Sequence, residues 1–381
     1  MTRIFIIASI VCSALACVAA PAVALPTMIR LGYVDCAACH ISPQGGGPLT
    51  VYGRGIDEAQ SLRAGEYKPL ENDLTRLLTL RGRITEDVRA VFQEQDTWTT
   101  GASARLFRPR LMYRNVSDLG GGFRVSAILT AESSHAPRPA LPYDPAIGGT
   151  TGFVNTALVH YRHGAALEVA VGRDQLPTGV NIPDLGTFFK ARNRLGYYDA
   201  PTQIKVFWAG KRYHVTPFAY APGGNEAPGE RERGTGALAE FDLLGHGRTV
   251  VGASVLNGTE SSGSRRTLGA YTRLGFGSWG VLAEHDVTTR ARDVTAGSFG
   301  QRASYGQLFW AGREWLVASV IGERLQVDLP FEQRLNAGKF ELAARLTSFA
   351  SVNGNVRVQR DALTGRVAKS LAIQASFKTV Y

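Results

Sequence analysis

From about Leu74 onward, apolar residues alternate with polar or charged ones in segment after segment, a period of two that suits strands and excludes amphipathic helices. The pattern is cleanest at the C-terminus. There Leu371, Ile373, Ala375, Phe377, Thr379 and Tyr381 share one face, and Gln374, Ser376 and Lys378 share the other. Leu268, Ala270, Thr272, Leu274 and Phe276 repeat it against Gly269, Tyr271 and Arg273. Ala237, Ala239, Phe241 and Leu243 do so against Glu240 and Asp242. Clusters of Gly, Asn, Asp and Pro punctuate these segments into roughly sixteen strands, an even number such as bacterial outer-membrane barrels carry. A soluble sandwich or propeller also alternates. Against it stand charged positions opposite purely apolar rows, a last strand ending on an aromatic, and an export signal. The predicted fold class is therefore all-β, a transmembrane antiparallel β-barrel. Past the export signal no stretch approaches the ~20 apolar residues of a membrane helix, and a barrel needs none.

The first residues have a different texture. Arg3 gives a positive start, Ile4 to Ala16 is apolar, and Ala22-Val23-Ala24 forms a small-x-small site before Leu25. Residues 1–24 read as a secretory signal peptide. A lipoprotein signal would use Cys17, but Ala14-Leu15-Ala16 places its leucine poorly for that. The mature chain then keeps two cysteines, Cys36 and Cys39, too few for a disulfide framework. The net charge is +10. No Lys/Arg run with interleaved aromatics forms a nucleic-acid patch, and the arginines are spread through the alternating segments, which points to a basic interior wall.

Residues 25–73 form a separate Gly- and Pro-rich unit, with a short helix predicted over Ile56–Ala64, and residues 74–381 form the barrel. Within the first unit, Cys36-Ala37-Ala38-Cys39-His40 is C-x-x-C-H. This spacing lets two thiols add to the two vinyl groups of one haem while the adjoining imidazole reaches the iron, so the predicted cofactor is one covalent haem c. A thioredoxin-type pair would want a βαβ context, and a zinc site would want two further ligands. Fewer than about fifty residues cannot wrap a haem in a core of their own, so the unit is expected to lodge in the lumen or mouth of the barrel. Gly45-Gly46-Gly47 follows no strand and opens no helix, so it is not a phosphate loop.

If Gly82, Ile84, Val88 and Ala90 face lipid, then Arg81, Arg83, Asp87 and Arg89 face inward. Arg108, Arg110 and Met112 follow on the next strand, with Phe107, Leu111 and Tyr113 outward, and Arg124 and Glu132 on the third. Such a wall could pair with haem propionates through guanidinium groups, or simply be solvated. Met112 and His160 are the candidate sixth iron ligands, with open five-coordination as the other option. Long connections are expected at Ser133–Gly152, Leu176–Gly196, Gly223–Gly234 and Thr289–Arg302, facing outside as in bacterial barrels.

The N-terminal unit resembles the fused monohaem cytochrome–porins of iron-oxidising bacteria. The matching residues are Pro26, Met28, Arg30, Gly32, Cys36, Cys39, His40, Pro48, Leu49, Gly53 and Arg54, over about thirty positions. Met28 stands where an aromatic is usual, and Pro43 to Gly47 lengthens the segment after the histidine. The resemblance implies an outer-membrane electron-transfer protein. It would pass electrons between an extracellular donor, ferrous iron among them, and a periplasmic carrier such as a soluble cytochrome. Outer-membrane lipid would surround it. No nucleic acid and no bond-making catalysis are expected, since no triad spacing is present. The alternative is a diffusion or substrate-specific porin in which the haem unit is only a plug or sensor. A haem enzyme acting on peroxide or nitrogen oxides is a third reading, which needs an open iron site and a distal base.

Overall fold

The computed structural model describes residues 26–31, 39–40, 49–63, 84–132, 152–164, 166–182, 187–196, 199–223, 231–292, 297–347 and 349–378. The signal segment 1–24, Cys36, Gly45 to Gly47, Arg81 to Arg83, Tyr381 and the expected boundary at residues 73 and 74 lie outside them.

A sheet that is apolar on one face and polar on the other satisfies both, without exposed edges, by closing on itself in a membrane. Sixteen antiparallel strands do so here. The first eight are β1 (Ile84–Thr99), β2 (Ala102–Gly120), β3 (Phe123–Glu132), β4 (Gly152–His163), β5 (Leu167–Arg173), β6 (Thr202–Ala209), β7 (Tyr213–Ala221) and β8 (Arg233–Asp242). There follow β9 (Thr249–Glu260), β10 (Gly263–Phe276), β11 (Trp279–Arg292), β12 (Ser298–Arg313), β13 (Leu316–Val327), β14 (Gln333–Arg345), β15 (Ala350–Asp361) and β16 (Val367–Lys378). Each strand pairs with its sequence neighbours, and β1 closes on β16 with Ala90 opposite Phe377 and Arg89 opposite Lys378.

Paired residues share a face, so register decides what meets lipid. One outward row joins Leu274, Val281, Leu308, Val320, Phe340 and Val356 across six strands. The Leu268–Phe276 and Ala237–Leu243 alternations face outward as expected, with Tyr271, Arg273 and Asp242 buried on the lumen side. Exposed aromatics Phe123, Tyr161, Trp208, Tyr213, Phe276 and Trp279 sit beside one set of turns, forming the aromatic girdle of a transmembrane barrel. Phe123 and Tyr161 approach to 4.7 Å between ring centroids.

The turns at this rim are short, as between β2 and β3, where Gly121 and Gly122 adopt φ of 62° and 87°. The strand ends that flank the longest connections, Glu132 and Gly152, and Arg173 and Thr202, lie at the opposite rim. The connection expected at Thr289–Arg302 is shorter than its sequence suggests, because β11 runs to Arg292 and β12 begins at Ser298.

One half of the lumen departs from the expected polar interior. Leu282, Phe309, Ile321 and Leu325 point inward and are buried with Phe188, Phe189 and Val180. Their cover comes from residues 176–182 and 187–196 of the connection between β5 and β6, which lie inside the barrel instead of standing outside and include a one-turn helix, α2 (Phe188–Arg192). Tertiary burial of an aromatic pair overrides the ordinary solvent exposure of a loop.

Candidate functional site

The described part of the C-x-x-C-H motif, Cys39 and His40, is held by residues a short way downstream of it. His40 forms an isolated antiparallel bridge with Leu49. The Thr50 amide donates to the Cys39 carbonyl at 2.9 Å, and Thr50 Oγ1 also donates to that oxygen at 3.4 Å. The same hydroxyl accepts from the Gly53 amide at 3.0 Å, so Thr50 is an N-cap. It starts α1 (Val51–Ala59), which precedes the helix expected at Ile56–Ala64 by five residues. Val51-Tyr52-Gly53-Arg54-Gly55 is poor helical sequence, and the cap and packing outweigh that propensity.

Gly53 is required by contact. A Cβ there would lie 2.1 Å from the Cys39 carbonyl oxygen and 2.8 Å from Cys39 Cα. Gly53→Ala is therefore expected to push α1 off the motif and destabilise the docked unit by about 1–3 kcal/mol, an overpacking cost. Limited proteolysis within residues 49–63 should accelerate while the barrel stays resistant. Unchanged cleavage would show that α1 does not rest on Cys39.

The helix is bolted to the barrel from the lumen side of the short-turn rim. Asp57 Oδ2 accepts from Lys378 Nζ at 2.6 Å, and Oδ1 meets Arg345 at 3.3 Å. Arg345 also donates to Gln60 Oε1 at 3.1 Å and to the Asp57 carbonyl at 3.3 Å. Beyond the helix, the Leu62 and Arg63 amides donate to the Arg345 and Leu346 carbonyls at 3.0 Å. Burial pushes the Asp57 carboxyl up, but Arg345, Lys378 and then Arg89 pull it further down, to a net position below the ordinary carboxylate range. The short 3-10 helix Pro26–Leu31 lies beside β10 and β11, and its Met28 sulfur accepts from Gln60 Nε2 at 3.4 Å.

The donor set is of the kind haem c attachment uses: Cys36 and Cys39 thiols in C-x-x-C spacing, then an imidazole. His40 is buried and Cys39 half-buried, which suits an iron ligand shielded from bulk water. Cys36 itself is outside the described residues. Among those residues no group of three His, Cys, Asp or Glu side chains gathers that could hold a metal ion.

The two candidate sixth ligands have different surroundings. Met112 faces the lumen from β2, half-buried, opposite Arg89 and Thr130. His160 is nearly inaccessible at 1% exposure. Its Nε2 lies 2.8 Å from Ser126 Oγ and its Nδ1 2.9 Å from Glu168 Oε1. Both ring nitrogens are thus engaged in the wall across β3, β4 and β5. Ligating iron would break one of these bonds, so His160 reads as a wall residue. Sequence alone does not disclose this network, because Ser126 and Glu168 gain meaning only through register.

The inward arginines face as expected but are largely paired. Arg108 and Arg110 share Glu132 at 3.2 and 3.0 Å, and Arg114 meets Asp87 at 2.6 Å. Across the lumen, wall carboxylates hold the inward-folded segment. Glu284 accepts from the Val180 amide and Glu323 from the Phe188 amide, each at 2.6 Å. Asn193 donates to Asp286 at 2.9 Å and accepts from Thr288 and Gln301 at 2.9 and 2.6 Å. Arg194 meets Glu260 at 2.8 Å. The readable signal is Phe188-Phe189 followed by Lys190 and Arg192, an aromatic pair that a solvated loop would not carry.

No family model and no curated protein matches the chain. Solved structures do. OmpT of Vibrio cholerae superposes with a TM-score of 0.56 at 8% identity, covering 82% of this chain and 100% of that one. OprB of Pseudomonas putida gives 0.58 at 12%, over 80% and 96%. An anion-selective porin from Comamonas acidovorans gives 0.56 at 13%, over 78% and 99%. At such identities the likeness speaks for architecture alone: this chain has the fold of the outer-membrane porin barrels.

Proposed function

We propose that the protein is an outer-membrane porin-type barrel that carries one covalent haem c in its periplasmic mouth and passes electrons between an extracellular donor and a periplasmic carrier. The observation that carries this reading is the joining of Cys39 and His40, through Thr50 and α1, to Arg345 and Lys378 at the short-turn rim. Short turns face the periplasm in bacterial barrels. Residues 1–24 would export the chain. Cys36 and Cys39 would hold the haem through thioether bonds, and His40 would supply the iron ligand. Bound there, haem provides a one-electron couple. The bilayer core is ~30 Å thick, more than one haem covers. A soluble periplasmic cytochrome would therefore meet the site at the short-turn rim, and an external donor, ferrous iron by the family resemblance, would come down the lumen.

A second reading, a selective porin with the haem unit as plug, is favoured by the inward-folded segment, which narrows the lumen as a solute filter would. Liposomes separate the two. With an oxidised acceptor inside, wild-type protein is expected to oxidise an impermeant external donor, and His40→Ala to insert normally yet lose that transfer and the optical signature of imidazole ligation. Equal rates from the two would refute the electron-conduit role and leave the plugged porin.

A further inference from the structure

The outer surface of β10 to β15 does not stay apolar up to the long-loop rim. Two rows beyond the aliphatic row, register aligns Ala270, His285, Ser304, Arg324, Asn336 and Arg360 on the outward face. The next row aligns Leu268, Val287, Arg302, Gln326 and Arg334. Arg266 lies one step further along β10, and all five arginines are exposed.

Arg302 shares its row with the exposed apolar side chains of Leu268 and Val287, so these guanidinium groups border lipid. A cation at a lipid-facing position is costly in proportion to its depth unless an anion meets it at the same level. The protein supplies little. Arg302 has Asp328 at 3.6 Å and Arg334 has Glu332 at 3.1 Å, all four side chains being 38–56% exposed. Arg266, Arg324 and Arg360 have no ion-pair partner among the described residues. Five guanidinium groups thus stand against two carboxylates. Elsewhere on the outer surface the chain neutralises itself: Arg105 on β2 lies 2.7 Å from Asp96 and 3.3 Å from Glu94.

We propose that this face binds the phosphate-bearing headgroup of an outer-leaflet glycolipid, with Arg324 and Arg360 in one row and Arg302 and Arg334 in the next gripping its phosphates. It rests on the outer-membrane reading above, which puts the long-loop rim outside, and is independent of haem. Strands lie about 4.8 Å apart, so the two arginines of each pair, two strands apart, are separated by roughly 10 Å. Planar guanidinium forks bind phosphate oxygens bidentately, and the adjoining small row of Gly306, Gly322 and Gly338 leaves open space for acyl chains.

The full-length protein in detergent is titrated with a bis-phosphorylated glucosamine glycolipid and with its dephosphorylated form bearing the same acyl chains. Wild type is expected to prefer the phosphorylated lipid and to hold it against millimolar inorganic phosphate. An Arg302→Gln, Arg324→Gln, Arg360→Gln variant should bind it on the order of a hundredfold more weakly, whereas Arg105→Gln should bind it as wild type does. Heat-modifiable migration reports that each variant is folded, and Arg324→Gln alone, with a smaller loss, serves if the triple variant does not assemble. Equal binding of both lipids by wild type, displacement by free phosphate, or undiminished binding by the variant would overturn the proposal. Membrane fractionation of the native protein tests the outer-membrane reading separately.

Discussion

Replacing both Cys36 and Cys39 by alanine is expected to abolish covalent haem entirely. Wild-type protein, denatured and extracted with acid–acetone, should retain a c-type haem that the variant lacks, because a thioether survives extraction and an iron–imidazole bond does not. The barrel should be indifferent to the loss. Its closed ladder begins at Ile84 and uses none of the motif's backbone, so unheated variant should still migrate fast on gels. His40→Ala should keep the covalent haem and change its optical spectrum through loss of the imidazole ligand, which separates attachment from ligation. Wild type that releases its haem on extraction, or never holds one, would end the cytochrome reading and leave a porin with a small plug.

The barrel is legible in the sequence because it is written at a period of two. The rows of Leu268 to Phe276 and Ala237 to Leu243 are outward in the structure, and Asp87, Arg89, Arg108, Arg110 and Glu132 are inward. Burial on both faces blurs the pattern. Leu282, Phe309 and Leu325 are apolar residues on the lumen face, because Phe188 and Phe189 cover them. The covering segment reads as an outside loop, since its partners Glu284, Asp286 and Glu323 lie from 93 to 135 residues away. The C-x-x-C-H spacing is readable for the opposite reason: five consecutive residues make it up. Its anchorage is not, because nothing near Asp57 announces partners 288 and 321 residues downstream. The start of α1 is hidden by its own glycines, of which Gly53 serves the contact with Cys39.

Asp57→Ala is expected to release the N-terminal unit from the barrel mouth and raise single-channel conductance severalfold. Asp57, Lys378 and Arg345 are 7, 6 and 15% exposed at their side chains, so the alanine leaves two cations buried without their common anion. Breaking a buried pair by removing one partner costs about 3–5 kcal/mol, or about two to four powers of ten in the docked-to-undocked ratio. The remaining contacts, the Leu62 and Arg63 amides and the Arg345 bonds to Gln60 and to the residue-57 carbonyl, supply no anion for Lys378. Asp57→Asn, which keeps the shape and one acceptor, should fall between. The pH dependence has a definite sign. A carboxyl whose docked pKa is depressed stabilises docking fully above its undocked value and progressively less as pH falls through the docked one. Since Asp57 is held below the ordinary carboxylate range, the mouth should stay closed from neutral through mildly acidic pH. It should open only in strong acid, whereas Asp57→Ala should conduct alike across that range. Conductance in planar bilayers, recorded against pH for the three proteins, reads this directly. An alanine variant with wild-type conductance and undiminished protease protection of residues 49–63 would show that the helix is held by something other than its aspartate.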